Sequence, residues 1–353
     1  MQTKKILIAP LNWGLGHATR CIPVIEALEN HGYEPIIASD GIALELLKKE
    51  FPDRKILELP SYKIEYAKNG NLFKLKMFFQ IPNMIKAVRN ENRIVEQWIK
   101  EHNIEGIISD NRLGVYAKKV PSVFITHQLN VLTGNTTWLT TKIHRMFIKK
   151  HKQCWVPDVE SKPNLTGKLG HPENCELNIK YIGPLSRLNK KSLPKKYDLM
   201  VILSGPEPQR SMLEEKLRTE LIDYPGNAIF IRGVVEQEET TTIQNNVTYH
   251  NFMGTAALEN AFNESEIVLC RSGYTTVMDL AQLGKKAFFI PTPGQYEQEY
   301  LAKKLKKAGL VPFAFQNDFK MEDLGKVNVY KGLKNIGAAD VRWKDLFCLF
   351  EGK

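Results

Sequence analysis

Glu266-Ile267-Val268-Leu269-Cys270-Arg271-Ser272-Gly273-Tyr274-Thr275-Thr276-Val277-Met278-Asp279 is the stretch on which the fold turns. The run 266–270 predicts a buried strand, and 277–283 predicts a helix that Gly284 stops. A strand that breaks at Ser-Gly and restarts as a helix turns backbone N–H groups outward at the helix start. With the helix dipole, those groups suit an anion such as a phosphate. Asp279 lies four residues after Thr275, on the same side of the helix. A carboxylate there is placed to take the two hydroxyls of a ribose. A further strand at 287–290 leads into the polar loop Pro291-Thr292-Pro293-Gly294-Gln295-Tyr296-Glu297-Gln298-Glu299. That loop emerges at the same sheet edge as the Ser-Gly turn, where open α/β sheets bind ligands. On the turn alone, an ordinary strand–turn–helix crossover reads the same way.

The start of the chain repeats the pattern: strand 5–9, loop 10–17, helix 18–31, strand 34–38 and helix 41–50. Such alternation predicts a parallel sheet with right-handed crossovers. The loop Pro10-Leu11-Asn12-Trp13-Gly14-Leu15-Gly16-His17-Ala18-Thr19-Arg20 lacks the third glycine of a dinucleotide fingerprint. It places His17 at the mouth of the first strand and at a helix start, where the dipole disfavours imidazolium and leaves a neutral base. A helix-capping histidine fits the same position.

Residues 62–100 are basic and apolar together, and read as a helical hairpin broken at Pro82. Phe73, Met77 and Phe78 beside Lys74, Lys76 and Lys86 suit an anionic lipid surface; core on one side and solvated lysines on the other suit them equally. Strands at 104–109 and 123–125 end in Asp110-Asn111-Arg112 and Thr126-His127-Gln128-Leu129-Asn130, polar clusters that again mark a binding edge. A basic helix is expected over 142–152, where His144 and His151 have no carboxylates nearby to make a metal site. Segment 186–196 reads as a linker between an N-terminal domain, 1–185, and a C-terminal one, 197–335. In the latter, strands at 197–203, 228–232 and 247–250 precede the opening stretch, with Ser204-Gly205-Pro206-Glu207-Pro208-Gln209-Arg210 after the first. A terminal segment, 336–353, carries a short helix near 341–350 that is expected to pack back on the N-terminal domain.

With 353 residues, 43% hydrophobic and 25% charged, the chain has the length and composition of a two-domain soluble globular protein. No apolar run approaches the ~20 residues that span a bilayer, and the first strand is too short for a signal peptide. Five scattered cysteines fit a reducing cytoplasm. The net charge of +10 is uneven: residues 1–180 hold 26 Lys+Arg against 18 Asp+Glu, and 181–353 hold 23 against 21. A basic first half invites an acidic partner, but no nucleic-acid-binding motif is present, so none is expected.

Gly14-Leu15-Gly16-His17, Thr126-His127-Gln128-Leu129-Asn130, Ser204-Gly205 and the run from Cys270 to Asp279, continuing to Gln298, occur in an order that resembles the GT-B glycosyltransferases. Within these the chain is most similar to the bacterial family that adds N-acetylglucosamine to lipid-linked muramoyl-pentapeptide, and more loosely to other UDP-sugar transferases. The resemblance implies two doubly wound Rossmann-like α/β domains facing across a cleft. It implies His17 as the base that deprotonates an acceptor hydroxyl, with Gly14, Gly16, Asp110, His127 and Asn130 on the acceptor side. On the donor side it implies Ser204, Gly205, Ser272, Gly273 and Thr275 near the diphosphate, Asp279 at the ribose, the backbone of Phe252 and Met253 at the uracil, and Gln298 and Glu299 at the sugar. Asp279 stands where the family has a glutamate, Gln128 replaces a glutamate, Glu299 replaces a glutamine and Leu301 an asparagine.

The implied reaction is a single inverting displacement from a nucleotide sugar to a lipid-linked or small-molecule acceptor, at or near the inner face of the cell membrane. There is no Asp-x-Asp pair. No metal and no further cofactor is therefore expected, and Arg210 or Arg271 is a candidate helper at the diphosphate; Arg271 also suits a structural pair with a carboxylate. Two other readings share the architecture. A nucleotide-sugar epimerase needs extra acid/base groups, for which Glu207, Asp110 and Glu299 are the available residues. A non-catalytic nucleotide-sugar-binding protein needs none.

Overall fold

The structure, a computed structural model, describes residues 3–62, 70–234, 236, 238–334, 336 and 341–352, with the backbone alone for 70–82. The chain divides into two compact units, Met1–Leu185 with Ala339–Lys353, and Ser186–Ala338. The first unit runs β1 (Lys5–Pro10), α1 (Gly16–Asn30), β2 (Glu34–Ser39), α2 (Gly41–Glu50), β3 (Ile56–Glu58), α3 (Gly70–His102), β4 (Ile104–Asp110), β5 (Ser122–Ile125), α4 (Thr137–Ile148), β6 (Gln153–Val156) and β7 (Ile179–Tyr181). Its strands form one parallel sheet in the order β3-β2-β1-β4-β5-β6-β7. The strands are near-continuous apolar runs because helices cover both faces; Leu7, Ala9, Ile36, Ala38 and Ile107 share one cluster with Val95 of α3.

The second unit runs β8 (Tyr197–Ile202), α5 (Gln209–Glu220), β9 (Ala228–Ile231), β10 (Thr241–Gln244), β11 (Val247–His250), α6 (Thr255–Glu264), β12 (Ser265–Cys270), α7 (Tyr274–Leu283), β13 (Lys286–Phe289) and α8 (Tyr296–Lys307). The sheet order is β10-β11-β9-β8-β12-β13, parallel except for β10. Gly284 stops α7 in the left-handed region, with φ 64°, as a glycine after the last helical turn does. Each sheet reverses its direction of winding once, between β1 and β4 in the first unit and between β8 and β12 in the second. In a doubly wound sheet that reversal parts the loops and opens the binding crevice.

Two expectations need correction. The hairpin at Pro82 is one helix, α3, running through the proline. A proline inside a helix costs about 3 kcal/mol, and no glycine lies near Pro82 to make the reversal a hairpin needs. The basic helix is α4, starting five residues earlier than expected and ending at Ile148. Thr137 Oγ1 bonds the carbonyl of Gly134 at 2.7 Å and accepts the Thr133 N–H at 3.0 Å, fixing that early start. The short strands β3, β6, β7 and β10 were not anticipated. The residues proposed to face lipid, Phe73, Lys74, Lys76, Met77 and Phe78, lie outside the described side chains. No described helix is long and apolar enough to cross a membrane.

The chain's end joins the first unit through α9 (Trp343–Phe347) and the turn after it. The Phe347 ring sits 5.4 Å from His31 and 5.5 Å from Tyr33, both edge-on, and Lys4 Nζ donates to the Phe350 carbonyl at 2.8 Å. A Cβ at Gly106 of β4 would collide with the Phe350 ring, so the glycine admits the segment. Phe347 is 1% exposed. Phe347→Ala is expected to destabilise the first unit by about 3–5 kcal/mol and lower its thermal unfolding midpoint; an unchanged midpoint would show that the segment does not brace the sheet.

Candidate active site

At the reversal of the first sheet, Pro10 of β1 lies opposite Asp110 of β4, and the Leu11 N–H donates to the Asp110 carbonyl at 2.9 Å. The chain then turns through the exposed Gly14 into α1, whose first residue is Gly16 and second is His17. This brings His17 Nδ1 to 2.8 Å from Asp110 Oδ1, with the imidazole 16% exposed and the carboxylate fully buried. Burial alone would raise the Asp110 pKa, but the guanidinium of Arg20 and the imidazole of His17 more than offset it and hold the carboxyl well below the usual carboxylate range.

Asp110 is therefore an anion, and it takes the Nδ1–H. An unprotonated Nδ1 would set its lone pair against a carboxylate at 2.8 Å. The tautomer follows from this hydrogen-bond network and leaves Nε2 as the basic nitrogen. His17 is held below the ordinary imidazole value, first by burial and then by Arg20, against the opposing pull of Asp110. The direction matches the sequence argument; the causes are burial and a neighbouring charge rather than the helix dipole. His127, 4% exposed, follows β5 and lies 3.2 Å from Arg20 Nη1 through its Nδ1. Asn130 is occupied internally: its Nδ2 donates to the Lys168 carbonyl at 2.5 Å and its Oδ1 accepts from Arg145 at 2.8 Å.

In the second unit Ser204 and Gly205 follow β8, Phe252 and Met253 follow β11, Ser272 and Gly273 follow β12, and Gln298 and Glu299 follow β13. Since β8, β11, β12 and β13 run parallel, all four groups gather at one sheet edge. Ser204 and Gly205 are exposed. Gly273 caps α7 in an extended conformation with no side-chain capping bond, and a Cβ there would meet nothing within 4 Å. Ser272, wholly buried, donates its hydroxyl to the Gln298 carbonyl at 2.8 Å, tying the start of α7 to α8. Thr275 is half-buried in the first turn of α7.

Asp279 Oδ1 accepts from Ser186 Oγ at 2.6 Å; burial pushes its carboxyl up to about 6 against the lowering by Ser186 and Arg187. Gln298 braces the loop before it, its Oε1 accepting the Thr292 N–H at 2.9 Å and its Nε2 donating to Gln295 at 2.7 Å. Glu299 accepts the Gly294 N–H at 3.2 Å and pairs with Lys303 at 3.5 Å. The Phe252 N–H is donated to Asn251 Oδ1 at 2.9 Å.

The two arginines differ from expectation. The Arg210 charge is met by Glu207 and Glu214, at 2.5 and 2.7 Å. Arg271, 1% exposed, has no carboxylate partner among the described residues: it donates to the carbonyls of Ile290, Pro291 and Gln209 and to Gln316 Oε1, and burial lowers it to about 10. Sequence reasoning missed Arg20 and Ser186. Arg20 was within reach, since it stands three residues after His17 on a helix and so shares its face. Ser186 was not, because its contact with Asp279 spans 93 positions.

Residues 211–337 match the family model of the glycosyltransferase family 28 C-terminal domain. The chain is 25% identical over 333 residues to the UDP-N-acetylglucosamine–N-acetylmuramyl-(pentapeptide) pyrophosphoryl-undecaprenol N-acetylglucosamine transferase of Haemophilus ducreyi, covering 91% of this chain and 88% of that one. Among solved structures it is similar in fold to MurG of Acinetobacter baumannii, with TM-score 0.59, 13% identity and full coverage of both chains. It also matches the spinosyn rhamnosyltransferase SpnG complexed with thymidine diphosphate, with TM-score 0.57, 12% identity, and 99% and 92% coverage. The chain is thus related to glycosyltransferases along most of its length and has the GT-B fold of two Rossmann-like domains.

His144 and His151 flank the buried Phe124 ring, at 5.6 and 5.0 Å, and burial pushes both imidazoles down to about 4. Buried His151 and half-buried His144 are neutral in the folded chain, while the unfolded chain protonates them near 6.5. The unfolded state thus binds more protons between about 6.5 and 4, and stability falls as pH drops through that window. Acid titration of the unfolding midpoint should show this loss, reduced in His144→Phe; the same slope in the variant would rule out His144 as a source.

Proposed function

We propose that this protein is an inverting, metal-independent glycosyltransferase that moves a hexosyl or N-acetylhexosaminyl group from a UDP-sugar to a hydroxyl of a lipid-linked or small-molecule acceptor. The observation that carries the reading is the His17–Asp110 hydrogen bond at the reversal of the first sheet, because it supplies an oriented neutral base. Nε2 of His17 takes the acceptor proton as the acceptor oxygen bonds to the anomeric carbon. The bond from that carbon to the β-phosphate oxygen breaks with its electron pair, and UDP leaves. Attack opposite the leaving group inverts the centre. The positive end of α7 at Ser272 and Gly273, with the Ser204-Gly205 turn, takes the diphosphate charge that a metal takes elsewhere.

Asp279 is suited to the ribose, the backbone of Phe252 and Met253 to the base, and Gln298 and Glu299 to shaping the loop at the sugar. The lipid-linked acceptor rests on what the Haemophilus ducreyi relative is named for, and a thymidine donor is the variant that the SpnG complex raises. An epimerase finds little support: Glu207 is paired with Arg210, Asp110 with Arg20 and Glu299 with Lys303.

A peripheral position on an anionic membrane surface, at its cytoplasmic face, has its support in α4. Trp138, Leu139, Ile143 and Met146 on that helix are 69, 41, 43 and 60% exposed, with Lys142, Lys149 and Lys150 also exposed. Large apolar side chains with lysines around them suit the headgroup boundary. Vesicles of phosphatidylglycerol should therefore pull down the wild type, whereas Trp138→Ser with Met146→Ser should stay in the supernatant; equal binding by both would exclude α4 as the contact.

For the chemistry, UDP should raise the melting temperature of the wild type, an effect that Asp279→Ala loses and His17→Ala keeps. His17→Ala should turn over roughly 10²–10⁴-fold more slowly. Chelation of divalent cations should leave the rate unchanged. A wild type that no nucleotide stabilises would sink the transferase reading.

A further inference from the structure

Arg20 is among the largest fully buried side chains of the protein, at 1% exposure, and ends the stretch from Pro10 that places His17, without a role assigned to it from the sequence. It lies one turn beyond His17 on α1. Its Nε donates to Asp110 Oδ2 at 2.5 Å and its Nη2 to Asp110 Oδ1; Nη2 also lies 2.9 Å from His17 Nδ1, and Nη1 3.2 Å from His127 Nδ1. One guanidinium thus touches the carboxylate and both imidazoles. The ionisable groups facing His17 are Arg20 from α1, Asp110 from β4 and His127 from the segment after β5. The Cys21 thiol, also on α1, donates to Asp110 Oδ2 at 3.4 Å.

We propose that Arg20 is a positioning residue that sets opposite tautomers on the two histidines, leaving His17 with a basic Nε2 and His127 with a protonated one. The inference rests on His17 being the base of the proposed transfer. An arginine can only donate, so the His127 Nδ1 facing Nη1 is an acceptor and its ring proton sits on Nε2. His17 Nδ1 faces two partners, Arg20 Nη2 at 2.9 Å and Asp110 Oδ1 at 2.8 Å; the anionic carboxylate is the stronger partner and Nη2 already donates to it, so Asp110 takes the Nδ1–H of His17.

The guanidinium has a second consequence. A buried carboxylate with an imidazole as its main partner raises that imidazole's pKa and favours the imidazolium, which is no base. Burial disfavours the imidazolium first, and Arg20 supplies the counter-charge to Asp110, so His17 stays neutral. The cluster then offers one nitrogen that accepts a proton and another that donates a hydrogen bond, both on the acceptor side.

The first test uses the wild type alone. Nitrogen-15 chemical shifts of the histidine rings near neutral pH should show His17 protonated at Nδ1 and His127 at Nε2; the same tautomer on both would overturn the proposal, whether or not the protein transfers sugar. The second follows the acidic limb of kcat/KM against pH, with His17 titrated in parallel by NMR. Arg20→Gln removes a contribution that lowers the His17 pKa, so both limb and titration should move to higher pH. Asp110→Asn should move them lower. Arg20→Lys keeps the charge without the fork, so its limb should stay near the wild-type position while kcat falls. A folded Arg20→Gln with an unmoved limb and titration would mean that Arg20 only supports the structure. A wild type with the assigned tautomers but no transfer would overturn the transferase reading and leave the tautomer assignment standing.

Discussion

Everything functional in this molecule depends on how a parallel sheet must be wound. Right-handed crossovers put each strand-to-helix loop at the carboxyl edge of the sheet. Where the winding changes direction, two neighbouring loops depart to opposite faces. In the first unit those loops follow β1 and β4, with His17 at the start of the helix after one and Asp110 at the end of the strand before the other; in the second they follow β8 and β12, and they carry Ser204-Gly205 and Ser272-Gly273. The register then fixes the detail, since Pro10 opposite Asp110 and Ile202 opposite Cys270 end the paired strands at the same level. The site chemistry is thereby tied to sheet geometry rather than to loop flexibility.

Burying charge at those edges is permitted only where partners are supplied. The first unit uses two closed networks. Asp110 is held by Arg20 and His17, while Arg112, fully buried, donates to Glu91 at 2.5 Å, Asp40 at 2.6 Å and the Pro60 carbonyl at 2.8 Å. Asp40 in turn accepts from Asn12 at 3.3 Å, in the loop that leads to His17. The second network therefore braces the loop on which the first depends, from α3 through β4 to the glycine-containing turn.

What was legible in the sequence follows from this. Central strands are apolar on both faces and announce themselves: 266–270 and 228–232 were placed to within a residue of β12 and β9. Short or exposed edge strands carry no such signal. β10 is exposed along its length, and β3 and β7 are three residues each, too short for a period to register. His17 and its helix start could be read locally because glycine, histidine and strand lie within a dozen residues. The His17–Asp110 contact spans 93 positions; both residues were singled out by place in the sheet, but their hydrogen bond became visible only with the register. The carboxylate foreseen for Arg271 failed for a related reason, as its partners are main-chain carbonyls that no side-chain pattern encodes.

Arg271 also bears on the donor side. A buried guanidinium normally meets a carboxylate that cancels its field, as Arg20 and Arg112 do. The acceptors the structure gives Arg271 are neutral: three main-chain carbonyls and a glutamine. Dipoles of that kind stabilise the cation without removing its net charge. It stands one residue before Ser272, where the positive end of the α7 dipole begins. Two fields of the same sign therefore add at the sheet edge where the loops after β8, β12 and β13 converge, and the Gly273 backbone there has open space above it. Such a potential is costly to maintain empty and is relieved by an anion. In the proposed transfer this field would meet the charge of a diphosphate leaving group, and it arises from the fold's own backbone and one buried side chain.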